Sequence, residues 1–380
     1  MVENLLAGGL LAFCITFYAI PKIIKIAEFK KLYDIPNDRK VHTKPIPSLG
    51  GVGIFTGFIA SLLFLGPLES FNFHQFFILV FFLVFLFGLK DDIIGLTPQK
   101  KFFGQALTAL VLTFKSSLLI TNMHGFLGIH TLNGPLSYIL TIFTIIVVMN
   151  AYNLIDGIDG LAATISIITA SVFAWFFYMN GEQAYAMLGF TFAASLLAFL
   201  IFNFPPAKIF MGDTGSMMCG VVNAILVIHF IETATTSKVF NVTASPALGF
   251  GILIMPLLDT LRVFAIRILH GRSPFSPDRN HLHHILLDRG LNHKVITMII
   301  GLSAIMFILL TYIALPMGTT AIILSQIGLF FAGVFILQIT SRNQKNKLRA
   351  VRNDEISICR KIKHVVTLIA TGDKTTIERK

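Results

Sequence analysis

Carboxylates and imidazoles are concentrated in four short stretches of an otherwise apolar chain. Asp91 and Asp92 stand side by side in "GLKDDIIG" (88–95), at the end of a long apolar run. Adjacent carboxylates repel, and one is driven toward its protonated form unless a cation shields it. The pair therefore suits a proton acceptor or a metal neighbour, against the plain alternative of a solvated helix end. In "NAYNLIDGIDGLAA" (150–163), Asn150, Asn153, Asp156 and Asp159 recur every third residue. On a helix that spacing draws a slowly drifting polar stripe of oxygen ligands, and Gly157 and Gly160 beside it allow a backbone or phosphate to come close. The alternative is an Asn/Asp/Gly turn.

"NFPPAKIFMGDTGS" (203–216) joins a Pro-Pro break to Asp213 at the start of the next apolar run. A hard oxygen ligand on a loop leading into a helix N-terminus suits Mg²⁺ and a phosphorylated ligand. It equally suits a plain N-cap. Phe210, just before it, is either an apolar anchor or a flat face for a base. "GRSPFSPDRNHLHHILLDRG" (271–290) crowds Arg272, Arg279, His281, His283, His284 and Arg289 together. No cysteine accompanies the histidines, and the arginines would repel a soft metal cation. Their planar forks match phosphate oxygens instead, and the plain alternative is a basic loop on a membrane surface.

The elements that must position these groups are unusual for a soluble protein. Of 380 residues, 55% are hydrophobic and only 13% charged, about half the usual charged share, and the mean hydropathy is +0.78. Apolar runs of bilayer-spanning length recur, at about 4–20, 48–67, 74–90, 102–120, 136–152, 160–179, 184–202, 213–232, 246–266, 296–315 and 319–340. Short polar loops between them fit helices and not a barrel. The expected fold is all-α: a polytopic membrane protein of about 11 transmembrane helices, with one domain over 1–340 and a basic tail over 341–380. The first run has no basic segment before it, Glu3 being the only charged side chain before Pro21, so it is expected to be a retained helix and not a signal peptide. Cys14, Cys219 and Cys359 share no ligand or disulfide spacing.

A formal net charge of +11 invites a nucleic-acid reading, but its distribution excludes one. With the N-terminus outside, 28 of the 30 Lys and Arg residues fall on the cytoplasmic side, and only Lys115 and Lys238 face the other way. The positive-inside rule accounts for that asymmetry. The same topology puts all four chemistry-bearing stretches on the cytoplasmic face.

"KDDIIG", "NAYNLIDGIDGLAA", "FMGDTGS" and "SPDRNHLHH", in this order, with "DRKVHTKPIPSLGG" (38–51) before them, resemble the polyprenyl-phosphate N-acetylhexosamine-1-phosphate transferases, the MraY/WecA superfamily. The resemblance covers about residues 1–340. It implies transfer of a sugar-1-phosphate from a UDP-N-acetylhexosamine to polyprenyl (undecaprenyl) phosphate, with release of UMP and with Mg²⁺, or Mn²⁺ in its place. Such an enzyme would sit in the bacterial cytoplasmic (inner) membrane, with the lipid bilayer and a second copy of the chain as further candidate partners. Carried over residue by residue, the resemblance makes Asp213 the principal Mg²⁺ ligand and Asn153 a second. Asp91 and Asp92 would act near the attacking lipid phosphate, with Asp156 as a third catalytic candidate. Asp159 and Phe210 match positions that hold the uracil, and Lys44 is a further nucleotide-site candidate. Arg279, His281, His283 and His284 match the loop that holds diphosphate and sugar.

Peptidoglycan-type members usually carry three consecutive histidines. The run here is His281-Leu282-His283-His284, and it resembles the branch using UDP-GlcNAc or a related small UDP-sugar. The implied mechanism is direct displacement at the β-phosphorus, with a covalent phospho-sugar aspartate as its rival. A secondary transporter using Asp259 and Arg262 along a path is the reading from another class. It is disfavoured by the lack of an internal repeat.

Overall fold

A bilayer offers the backbone no hydrogen-bonding partner, so each apolar run must satisfy its own N–H and C=O groups by coiling. The computed structural model describes residues 2–34, 45–66, 71–273 and 280–340, and it has a helix over every apolar run. In order these are α1 (Val2–Lys30), α2 (Gly50–Leu65), α3 (Phe71–Ile94), α4 (Pro98–Lys115), α5 (Gly134–Ile155), α6 (Leu161–Met179) and α7 (Gln183–Asn203). Then follow α8 (Gly212–Thr233), α9 (Ser245–Ile252), α10 (Ile254–Leu269), α11 (Leu282–Leu287) and α12 (His293–Ala314), and α13 (Thr319–Thr340). Two short antiparallel ribbons complete the described chain: β1 (Tyr33–Asp34) with β2 (Ile46–Pro47), and β3 (Asn122–Phe126) with β4 (Ile129–Thr131). The residues of the site all belong to the compact unit that ends at Gly328.

Among the described residues, seven helices are long and apolar enough to cross a membrane: α1, α5, α6, α7, α8, α12 with the short 3₁₀ turn after it, and α13. The fold is thus that of an all-α, multi-pass membrane protein. Three boundaries depart from the sequence expectation. α1 does not stop at Pro21 but continues to Lys30, since one proline removes a single ladder bond and leaves the rest of the helix intact. The run at 102–120 becomes a helix that begins at Pro98, with proline in its first turn, and ends at Lys115. The run at 246–266 breaks at Leu253 into α9 and α10.

α8 is the axis of the bundle, with 94% of its most apolar stretch buried inside the protein against 22% for α1. Phe58 of α2 meets Phe81 of α3 and Phe192 of α7 edge-on, at 5.2 and 5.0 Å between ring centroids. Inside the core a polar chain joins α5, α6 and α8. Asn223 donates to Ser166 Oγ and to the Cys219 carbonyl, both at 2.9 Å, and accepts from Thr169 at 2.7 Å. Tyr152 Oη lies 2.8 Å from Thr169 Oγ1. All four side chains are buried.

Further polar contacts lie at the two ends of the bundle. At one end Thr121 donates twice to Glu232 and His229 pairs with Glu182. At the other lie the residues of interest, brought there by the alternating direction of α3, α5, α7, α8 and α10.

Removing the Asn223 side chain leaves the Thr169 and Ser166 hydroxyls without their partner in an apolar interior. Asn223→Ala is expected to cost about 1–2 kcal/mol, read as a lowered thermal midpoint of the detergent-solubilised protein.

Candidate active site

The site is built on the first turn of α8. That turn has backbone N–H groups with no partner within their own helix, and α3 supplies one. Asp92 Oδ1 accepts from the Asp213 N–H at 2.6 Å, and Oδ2 accepts from the Thr214 N–H at 3.1 Å and the Thr214 hydroxyl at 2.6 Å. Asp92 therefore caps α8 from a neighbouring helix, the capping role that the sequence offers to Asp213. Gly212 makes the approach possible. Its φ is +74°, and a Cβ there would lie 2.2 Å from the Ser48 carbonyl and 2.7 Å from both Asp92 oxygens.

With the cap supplied by Asp92, the Asp213 carboxylate is free to face other groups. Lys101 of α4 reaches Asp213 Oδ2 at 3.0 Å and Asp91 Oδ2 at 2.6 Å, so one ammonium bridges the two carboxylates. The second Asp91 oxygen accepts the Leu96 N–H at 2.7 Å. On the other side of Asp213, Asn153 donates to Oδ1 and, at 3.0 Å, to Ser216.

α5 ends at Ile155, so the expected helical stripe is cut. Only Asn150 and Asn153 share the helix, and Asn150 is engaged with Gln105 of α4 at 2.8 Å. Asp156 terminates α5 as its C-cap, and Asp159 follows in the turn before α6. Burial, with the charges of Asp213, Asp92 and Asp159 around it, pushes the Asp156 carboxyl up to about 8. Asp159 behaves oppositely. Burial raises it, but the His293 hydrogen bond, the Ala207 N–H and the His293 charge outweigh burial and hold it below the ordinary carboxylate range. Its oxygens lie 3.1 Å from the Ala207 nitrogen and 3.3 Å from His293 Nδ1. Asp159 thus ties down the loop that leads to Phe210, whose own N–H and C=O bond Pro47 and Gly50.

The histidines are positioned by Asp259 of α10. Its Oδ2 lies 2.9 Å from His281 Nδ1, and its Oδ1 accepts the Leu282 N–H at 2.9 Å. Arg262 bonds Asp259 Oδ1 at 2.9 Å and also donates to the Asn280 carbonyl. Asp259, Arg262 and His281 are all buried, so the acid and arginine that a transporter would expose along a path form an internal brace. His283 lies between the His281 and His284 rings, at 5.7 and 4.4 Å between centroids. It rests on Gly157, where a Cβ would come within 2.3 Å of Nε2. Burial, foremost, and the neighbouring His284 push His283 down to about 3.

The fold therefore gathers Asp91, Asp92, Asn153, Asp156, Asp159, Asp213, His281, His283 and His284 at one end of the bundle. Lys44 and Arg279 lie outside the described residues. Arg272 is exposed in the turn after α10. Among the described residues, no three His, Cys, Asp or Glu side chains converge on one metal position. Sequence reading missed Lys101, His293 and the bracing role of Asp259. For Lys101 a signal existed: a cation three residues after Pro98, at a helix start only nine residues beyond Asp92.

A helical multi-pass membrane protein with acidic, amide and imidazole groups gathered at one end is the class defined by this fold. The pattern of Glycosyl transferase family 4 matches residues 74–231, from α3 to the end of α8. The chain is 31% identical over 340 residues to the probable undecaprenyl-phosphate N-acetylglucosaminyl 1-phosphate transferase of Bacillus subtilis (strain 168), covering 88% of this chain and 92% of that one. It is 29% identical to the undecaprenyl-phosphate alpha-N-acetylglucosaminyl 1-phosphate transferase of Yersinia pestis, over 80% of this chain and 81% of the other. A decaprenyl-phosphate N-acetylglucosaminephosphotransferase of Mycobacterium tuberculosis (strain ATCC 25618 / H37Rv) is 32% identical over 79% and 80% of the two chains. The chain belongs to glycosyl transferase family 4.

His283 provides a pH test of this geometry. Folded, it gains a proton only near pH 3, whereas an unfolded histidine does so near 6.5. Between those values the unfolded chain binds more protons, so stability is full above about pH 6.5 and falls as the pH drops. His283→Gln should flatten that fall, seen as a smaller loss of thermal midpoint between pH 7 and pH 5 than in the unmodified protein.

Proposed function

We propose that the protein transfers N-acetylglucosamine-1-phosphate from UDP-N-acetylglucosamine to a polyprenyl phosphate, undecaprenyl phosphate foremost, releasing UMP. One observation of the fold carries the reading: the Asp213 carboxylate at the α8 N-terminus, flanked by Lys101 and Asn153, with Asp91 across the same ammonium. An anionic diphosphate and an anionic lipid phosphate both need such a mixed set of hard oxygens and positive charge. The names of the relatives support the sugar and the acceptor, and the interrupted histidine run favours a small sugar over a peptide-bearing one.

In the proposed topology the chain crosses the bacterial inner membrane eleven times with its N-terminus outside, so the site faces the cytoplasm, where UDP-sugars are available. Residues 1–340 form the transferase domain, and 341–380 a basic cytoplasmic tail that carries 11 Lys and Arg and only four carboxylates, Asp354, Glu355, Asp373 and Glu378.

The donor set fits Mg²⁺. That ion is commonly held by one or two carboxylates and takes its other ligands from water and substrate phosphates. Asp213 with Asn153 would hold it, and the ammonium of Lys101 between Asp91 and Asp213 supports the view that these carboxylates gather around positive charge. When bound, the ion would neutralise charge developing on the diphosphate.

The chain's own groups do the rest. An oxygen of the lipid phosphate forms the new bond to the β-phosphorus of the UDP-sugar. The bond from that phosphorus to the bridging oxygen breaks, and the oxygen leaves with UMP. A phosphate monoester is mostly doubly ionised at pH 7, so little base is needed. Asp92 is committed to capping α8 and Asp91 to Lys101 and Leu96, which favours direct displacement over a covalent aspartate. Lys101 attracts the incoming phosphate, Asp159 and Phe210 border the proposed uracil position, and the imidazoles braced by Asp259 meet diphosphate and sugar with Arg279.

Purified protein given UDP-N-acetylglucosamine, undecaprenyl phosphate and Mg²⁺ should release UMP and lose that activity on chelation. Asp213→Asn should lower turnover about a hundredfold or more without lowering the thermal midpoint. Retention of a tenth of the activity would remove Asp213 from the metal role, and no UMP release across a panel of UDP-sugars would remove the transferase reading.

With the lipid acceptor withheld, no radiolabelled phospho-sugar should remain on the denatured protein. A label mapped to Asp91 or Asp92 would replace direct displacement by the covalent route.

A further inference from the structure

The turn between α3 and α4 carries positive charge that the reaction centre does not use. Of its three lysines, Lys101 faces inward and neutralises Asp91 and Asp213. Asp92, the only other carboxylate of the turn, is consumed by α8. Lys90 and Lys100 are exposed, and neither forms an ion pair with a described residue, so two charges are left on the outer side of the turn. Between them lies a groove of about 230 Å³ lined by Phe87, Lys90, Leu96, Gln99, Lys100 and Phe103. Its apolar walls include the edge-to-face pair of Phe87 and Phe103, with centroids 6.5 Å apart. Ile94 and Phe103 are 65% and 62% exposed beside it. Large apolar side chains displayed at the polar end of the bundle, next to unneutralised ammonium groups, match the boundary between lipid chains and headgroups.

We propose that this groove seats an anionic phospholipid of the leaflet on the active-site side, with its phosphate between Lys90 and Lys100 and the start of its acyl chain over Phe87 and Phe103. Charge complementarity selects the occupant. Basic pockets between membrane helices select anionic headgroups, and a zwitterionic lipid brings its own ammonium against the two lysines. The volume admits a headgroup and a few methylenes. The groove shares a wall with the reaction centre: Leu96 lines it and donates its N–H to Asp91. Lys90 directly precedes Asp91, and Lys100 directly precedes Lys101. An occupied groove therefore steadies the turn on which Asp91 and Lys101 are mounted. The inference rests on the membrane placement proposed above but not on the reaction.

The full chain has one tryptophan, Trp175, so a reporter can be placed in the groove as Phe103→Trp in a Trp175→Phe background. Reconstituted into vesicles, this tryptophan should be quenched by brominated phosphatidylglycerol with about tenfold preference over brominated phosphatidylcholine. Lys90→Gln with Lys100→Gln should abolish the preference, and a few mole per cent of undecaprenyl phosphate should leave it unchanged. Equal quenching by both lipids, here and with Phe87→Trp as a second reporter, would overturn the proposal. Displacement by undecaprenyl phosphate would also overturn it and give the groove to the acceptor. UMP release from the same vesicles separates the two readings. Turnover without lipid preference sinks only the groove, and lipid preference without turnover sinks only the transferase.

Discussion

The three hydrogen bonds that Asp92 accepts from Asp213 and Thr214 are the constraint from which the rest of the site follows. A helix N-terminus enclosed in a bundle must find acceptors for its first N–H groups, and α8 is the most enclosed of the seven described helices long enough to span a membrane. Taking the acceptor from α3 fixes α3 against α8. It also requires a residue without a side chain at 212, because the capping carboxylate occupies the space of a Cβ. And it leaves the Asp213 carboxylate available to Lys101 and Asn153.

The same device recurs in the histidine loop. Asp259 anchors a ring and a backbone N–H of that loop, while Arg262 balances its charge and holds the Asn280 carbonyl. Asp91, Asp92, Asp159, Asp213 and Asp259 are accordingly each matched to N–H groups or to a cation, as the cost of burying an unpaired charge demands. Asp156 is the exception, and it answers the same cost by retaining its proton to about pH 8. His283 meets it by remaining neutral. The site thus combines charged, neutral and protonated members within one enclosed region, which a fully ionised cluster could not do without separating its helices.

The division of the protein into an apolar middle and two polar ends explains why chemistry collects at one of them. Reversing direction at each turn returns the ends of α3, α5, α7 and α10 to the level at which α4, α6, α8 and α12 begin. Loops there can draw both on water-soluble ligands and on groups that remain in a lipid layer. The α3–α4 turn is the clearest case, since its inner lysine serves the carboxylates and its outer lysines are exposed.

That the apolar runs are helices was legible in the amino-acid sequence, because uninterrupted apolar runs of spanning length admit one backbone solution in a bilayer, and the family was legible in the order of the polar motifs between them; the break of one run into α9 and α10 was not. Asp91, Asp92, Asp213 and the histidines were legible as well, since carboxylates and imidazoles are costly at membrane borders and stand out there. The partners of these groups were not legible. That Asp92 caps α8, that Lys101 bridges Asp91 and Asp213, and that Asp259 holds His281 are contacts between residues 10 to 122 positions apart in the chain. No local periodicity encodes them. The spacing of Asn150, Asn153, Asp156 and Asp159 even suggested one continuous helical stripe, yet α5 ends at Ile155, so that Asn150 and Asn153 stay on it while Asp156 and Asp159 lie beyond its end. Residue types and helix-forming runs are local properties carried by the sequence itself. Which carboxylate receives a cation, which caps a helix and which retains its proton depends on the electrostatic surroundings, and these exist only once the helices have packed.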